Sequence, residues 1–154
     1  MDQAKSYAMG RYEGQNEKRF GLIASSKSNI LPAFGIDNDF MTTRRFRGGP
    51  WFNDPPNSVK SCCAFNSVAT EFQCQGLELD LPIVCWDDDV LWNDGWKTKK
   101  TTRRSKVKDP HTLRLNSYRV LLSRGRDGII IFVPPLEKLD STHKVLVDSG
   151  LKIL

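Results

Sequence analysis

The stretch Leu115-Asn-Ser-Tyr-Arg-Val-Leu-Leu-Ser-Arg-Gly-Arg-Asp-Gly-Ile-Ile-Ile-Phe-Val-Pro134 decides the fold. Leu115, Tyr118 and Leu122 recur at helical spacing, and Leu121 widens the apolar face. Ahead of them, Asp109-Pro110 offers an N-cap and a first-position proline, so a helix is predicted to start there. Gly125 suits its end. Ile129–Val133 is continuous and β-branched, the pattern of a strand covered on both faces, and Pro134-Pro135 stops it. The turn between helix and strand carries Arg124 and Arg126. Each is a permanently charged planar guanidinium whose donors fit phosphate oxygens.

Working outward, three more short apolar runs read as strands: Arg19–Ser25, Ser67–Thr70, and Leu81–Trp86 with Pro82 at its start. Loops or helical segments separate them. Ser26–Leu31 opens a helix that Pro32 limits or begins, Glu71–Asp80 reads as a turn and short helix, and Asp140–Gly150 reads as a final helix. Leu151–Leu154 offers a last small strand. Strands alternating with helices predict an α/β layer fold with a mainly parallel central sheet. Residues 1–18 are polar and read as a loosely ordered or partly helical lead-in to one domain over 19–154. Within it, residues 88–109 form a basic excursion, a hairpin turning at Asn93-Asp-Gly95.

With 154 residues the chain is long enough to bury a core without staples. Cys62, Cys63, Cys74 and Cys85 form no Cys-x-x-Cys pair, and His111 and His143 do not complete a zinc pattern. Cys85 sits in an apolar run and reads as a small buried hydrophobe. No apolar run has membrane-spanning length and no signal-peptide pattern opens the chain, which points to the cytoplasm. A net charge of +5 and a pI near 9.1 favour a nucleic-acid or nucleotide partner.

Three local features each support two readings. Trp51 and Phe52, near Arg44, Arg45 and Arg47, form either a packed loop or a surface on which bases stack. The run Asp87-Asp88-Asp89 either caps a strand end in solvent or binds magnesium; with Glu71, Glu78 and Asp80 it would then belong to a magnesium-dependent nuclease. The basic stretch holding Lys99, Lys100, Arg103 and Arg104, beside Trp92 and Trp96, is a solvated face or a grip on a nucleic-acid backbone without ATP chemistry. No Gly-x-x-x-x-Gly-Lys-Ser/Thr phosphate loop and no Gly-x-Gly-x-x-Gly occurs.

Two segments read together go further. Thr70-Glu-Phe-Gln-Cys-Gln-Gly-Leu-Glu-Leu-Asp80 resembles the fifth motif, and Arg114–Pro134 the sixth, of the second RecA-like domain of superfamily 1 helicases. With Gly49-Pro-Trp-Phe-Asn-Asp-Pro-Pro56, the wording is most similar to a bacterial family related to the Schlafen group 3 DNA/RNA helicase domain, over roughly residues 19–150.

The resemblance implies a three-layer RecA-like, P-loop-NTPase-type domain that lacks its own phosphate loop. It implies a nucleic-acid-dependent ATPase in which ATP and Mg2+ are held mainly by another RecA-like domain, in cis or in trans. Arg124 then matches an arginine finger for the γ-phosphate, with Arg126 as the alternate. The plainer reading is that both arginines compensate the end of the preceding helix dipole. Gln75, Gly76 and Glu78 match nucleotide-binding positions, Glu78 toward the ribose. Thr70 matches a nucleic-acid phosphate contact. Phe72 stands where relatives carry His and offers stacking. Ser25, Ser26 and Lys27 occupy the fourth-motif loop, with Lys27 in place of its arginine.

Overall fold

The computed structural model describes residues 1–27, 29–99 and 108–154. In chain order the elements are α1 (Asp2–Arg11), β1 (Phe20–Ala24), α2 (Phe40–Arg45), α3 (Gly48–Asn53), β2 (Val68–Thr70), β3 (Leu81–Cys85), β4 (Val90–Trp92), β5 (Trp96–Thr98), α4 (Pro110–Leu122), β6 (Ile130–Phe132) and α5 (Asp140–Asp148). Short 3-10 turns cover Leu31–Phe34, Cys62–Ala64 and Glu137–Leu139.

Four strands form a parallel sheet in the order β2-β1-β3-β6. Leu22 lies level with Val68 on one side and Ile83 on the other, and Ile83 lies level with Ile130. Every residue of β1 and β3 is buried, as continuous apolar runs require of central strands. Pro82 sits second in β3. The α/β class with a mainly parallel sheet is therefore met, and the arrangement is compatible with a RecA-like fold. The sheet is small, however, and its helices do not build a clear third layer.

Several expectations shift in position. Residues 2–11 form a helix that buries Ala4 and Ala8, while Tyr12 stacks on Phe20 with ring centroids 5.8 Å apart. Its buried face is made of alanines at i, i+4 spacing, which leaves little periodic hydrophobic signal to read. The turn-rich Gly48–Asn53 is helical, and Trp51 is 1% exposed against Phe46, so that aromatic packs in the interior. Leu151–Leu154 forms no strand. The hairpin falls where Asp-Gly predicts, with Asp94 at φ 48° and Gly95 at φ 126°. Asp109 caps α4 by accepting from the Thr112 N–H at 3.0 Å, and Pro110 stands at the first turn. Cys85 is fully buried, and burial pushes its thiol up to about 12.

A second, smaller core joins Trp86, Val90 and Tyr118 to Leu139 and Leu146, beneath the hairpin, α4 and α5. The Trp92 N–H donates to Thr142 Oγ1 at 2.9 Å and pins the hairpin to α5. Among the described residues no helix is long and apolar enough to cross a membrane.

Gly21 is required by close packing. A Cβ there would lie 2.7 Å from Cys62 Cβ, 3.1 Å from the Cys62 carbonyl oxygen and 3.2 Å from Trp51 Cζ2. Gly21→Ala is expected to cost about 1–3 kcal/mol in a denaturant titration, as overpacking does. Unchanged stability would show that this contact yields freely.

Candidate functional site at two edges of the sheet

Parallel strands place their beginnings at one edge of the sheet and their ends at the other. This sorts the sequence-predicted residues into two groups.

The first lies where β3 and β6 begin. The Leu79 N–H donates to the Arg124 carbonyl at 2.8 Å, the Arg126 N–H to the Leu79 carbonyl at 2.8 Å, and the Asp127 N–H to the Asp80 carbonyl at 2.9 Å. Leu79 and Gly125 form a parallel bridge that carries the β3–β6 pairing backwards. The segments holding Glu78 and Arg124 are therefore stitched backbone to backbone. Helix α4 stops at Leu122, before Gly125. The role of Gly125 is close approach, since a Cβ there would lie 2.0 Å from the Gly128 carbonyl oxygen. Gly76 has φ +81°, which glycine adopts freely, and open space around it. Gln75 and Gly76 are exposed.

Arg124 is half-buried and held on three sides. Its Nε donates to the Val120 carbonyl at 3.0 Å, Nη1 to the Leu77 carbonyl at 3.2 Å and Nη2 to Ser123 Oγ at 3.0 Å. The contact with Val120 is the helix-end compensation that the plainer reading foresees. Five N–H donors are available, so the held guanidinium keeps capacity for an anion. Arg126 is exposed and pairs with Glu78 at 3.0 Å, both side chains being 58% exposed. Such a pair is weak and exchanges readily.

The second group lies where β1, β2 and β3 end. The Ser25 hydroxyl donates to Asp89 Oδ2 at 2.6 Å and accepts from Arg114 Nη1 at 2.8 Å. The Ser26 N–H and hydroxyl donate to the two oxygens of Glu71 at 2.7 and 2.8 Å. Arg114 also reaches Glu71 Oε1 at 3.2 Å and Asp89 Oδ2 at 3.4 Å. Thr70 is buried, and its N–H donates to Gln73 Oε1 at 2.8 Å. Lys27 is exposed, and Phe72 is 67% exposed. Lys99 pairs with Asp88. Lys100, Arg103 and Arg104 lie outside the described residues. Trp96 packs on Trp86 and Trp92 at 5.6 and 5.2 Å between centroids, so the hairpin tryptophans face one another and the core.

The Asp87–Asp89 run corrects the expectation of a solvent cap: all three residues are buried. Asp87 accepts from the Asn29 and Ile30 N–H groups at 3.0 and 3.2 Å. Asp88 binds Lys99 and Lys138. Asp89 accepts from Ser25 and, at 2.6 Å, from the Tyr118 hydroxyl. Burial and the charge of Asp89 hold the Tyr118 hydroxyl well above its usual range, so it stays a donor. Burial opposes ionisation of Asp88, but its contacts with Asp87, Lys138 and Lys99 outweigh that, and its pKa falls well below the usual carboxylate range.

Chemically, Arg124 and Arg126 offer planar donors to an anion, and Glu78 offers an acceptor to a hydroxyl. Each carboxylate of the Asp run already has protein partners, and among the described residues no group of three or more acidic, His or Cys side chains is arranged to hold a metal ion. Arg114 and Glu71, which sequence reasoning did not single out in these roles, organise the second edge; their only signal was a charged residue one turn into a helix and another after a strand.

A family model described as "Schlafen group 3, DNA/RNA helicase domain" matches residues 1–135, and the chain belongs to that family. Membership gives it a helicase-like, nucleic-acid-related role. Neither the curated proteins nor the solved structures contain a match.

Because its folded-state pKa is depressed, Asp88 adds stability above the ordinary carboxylate value near 3.9 and loses it as pH falls further. Asp88→Asn is expected to cost about 1–3 kcal/mol at pH 7, since it leaves two lysines without their partner. Both lysines are nearly half exposed, which keeps the cost below that of a fully buried pair. The gap between parent and variant stabilities, followed by denaturation from pH 7 to pH 2, should begin to narrow near pH 4 and keep narrowing toward pH 2. A constant difference would remove Asp88 ionisation as the cause.

Proposed function

We propose that this chain is the second motor domain of a helicase-like, nucleic-acid-dependent ATPase. It supplies an arginine finger and nucleic-acid contacts, while a partner RecA-like domain holds the phosphates. The observation that carries this reading is the backbone seam between Leu79 and Gly125, which sets Glu78 against Arg126 and the Leu77 carbonyl, next in the chain after Gln75 and Gly76, against Arg124. Family membership supports it at the level of class.

In this reading Arg124 stabilises charge on a γ-phosphate that the partner domain presents, with Mg2+ held there too. The three contacts that fix Arg124 orient it before the ligand arrives, so less ordering is needed on binding. Arg126 exchanges Glu78 for a phosphate oxygen, and Glu78 is then free to accept from the ribose. At the other edge, Lys27 and Phe72 face outward to meet a phosphate and stack a base. Ser25, Ser26 and Thr70 hold the loops that present them. The reading as a basic module without ATP chemistry draws less support, because Lys99 is paired and the hairpin tryptophans pack inward.

Alone, the chain is expected to show no appreciable ATP turnover, with or without single-stranded nucleic acid; steady turnover would overturn the reading. Combined with a RecA-like domain carrying a phosphate loop, Arg124→Ala should lower turnover by about 10³–10⁵. Arg124→Lys should rescue little, since lysine lacks the planar fork. Intact turnover in Arg124→Ala would remove the finger assignment.

A further inference from the structure

Beside β2, an outer strand of the sheet, lies a hollow of about 430 Å³ that neither edge described above uses. Such a volume falls within the ~300–1,000 Å³ of small-molecule sites. Its walls include Phe46, Pro50, Trp51 and Val68, and Arg45, Arg47 and Lys60 surround them. Trp51, 1% exposed, packs behind Phe46 with ring centroids 5.4 Å apart and tilted by 56°, and holds the half-buried Phe46 ring as the aromatic face of the hollow. Arg45 ends α2, Arg47 precedes α3, and Lys60 comes from the loop ahead of β2, so the cations arrive from separate segments.

No carboxylate lines this hollow, and among the described residues none lies within ion-pair distance of Arg45, Arg47 or Lys60. Asp39 feels the Arg45 charge, but its carboxylate caps α2 by accepting from the Thr42 N–H at 2.7 Å. Lys18, which bridges Asp80 and Asp127, and Arg114, which bridges Glu71 and Asp89, are by contrast neutralised in place. Three exposed cations around an apolar, aromatic wall, none of them in an ion pair among the described residues, form a surface complementary to an anion that carries flat apolar groups.

We propose that this hollow binds a single-stranded nucleic-acid segment, with a base against Phe46 and its neighbouring phosphates on Arg45, Arg47 and Lys60. Unstacked bases of a single strand offer π-faces to aromatic walls, and a basic groove tracks the backbone. A phosphopeptide would satisfy the cations but has no repeated aromatic group for the wall. The inference rests on the nucleic-acid reading above and names a contact surface separate from Lys27 and Phe72.

The test is equilibrium binding of labelled oligo(dT) and oligo(rU) of equal length to the full chain over a series of salt concentrations. For single strands the log–log salt slope changes by about 0.7 for each phosphate contact. R45Q/R47Q should therefore flatten it by about 1.4 and K60Q by about 0.7. R44Q, on the same turn but outside the hollow, should leave it unchanged, and thermal melts check that each variant is folded. The preferred polymer shows whether DNA or RNA is the ligand. If the parent binds but R45Q/R47Q and K60Q match it, or R44Q flattens the slope equally, the hollow is overturned and the nucleic-acid reading stands, to be placed by Phe72→Ala. If the parent binds neither polymer, or binds only an aromatic phosphopeptide, the hollow is overturned, and the Arg124 turnover experiment separately decides the motor reading.

Discussion

The Arg114 guanidinium holds the ends of three strands together. It touches Ser25 after β1, Glu71 after β2 and Asp89 after β3. Glu71, Asp87, Asp88 and Asp89 are all buried, and burying carboxylates is costly unless charges and hydrogen bonds compensate. Arg114 compensates two of them, Lys99 and Lys138 a third, and backbone N–H groups the fourth. Without Arg114, Glu71 and Asp89 would face each other across Ser25 with like charge. The loops that carry Ser26, Lys27 and Phe72 owe their positions to this network.

Helix α4 joins the two edges. Arg114 lies near its start and Arg124 just beyond its end, and thirteen helical residues span roughly 20 Å. The helix crosses beneath the hairpin, where Tyr118 packs on Trp86 at 4.4 Å between centroids and bonds Asp89. The strand-end network is therefore tied through one helix to the segment that carries Arg124. In a two-domain motor, this is the element on which nucleic-acid contact and nucleotide contact would act together.

Much of this was legible in the sequence. The Asp109-Pro110 start and the Asp94-Gly95 turn each name their structure, because capping and positive φ are local requirements. The run Ile129–Val133 names a strand but not its place: a strand covered on both faces was expected, whereas β6 lies at the sheet edge with Ile131 and Phe132 half-buried. The wording of Thr70–Asp80 and Arg114–Pro134 pointed to the family, but the backbone seam that joins Leu79 to Gly125 was not legible in it. The burial of Asp87–Asp89 was not legible. Three adjacent acids look solvated until Lys99, Lys138, Arg114 and Tyr118 arrive from distant segments. Nor was α1, whose alanines carry almost no amphipathic signal. Trp51 and its neighbours read as a loop because Gly48, Gly49 and Pro50 are turn formers, and tertiary packing overrides that preference.

The seam between Leu79 and Gly125 also sets a distance. Glu78 and Arg124 sit on adjacent backbones locked in register, and no side-chain rotation can change the spacing of their main chains. The domain thus holds these two main chains like a caliper with a fixed jaw. Changing that gauge is beyond any local adjustment; the whole β3–β6 pairing would have to slip.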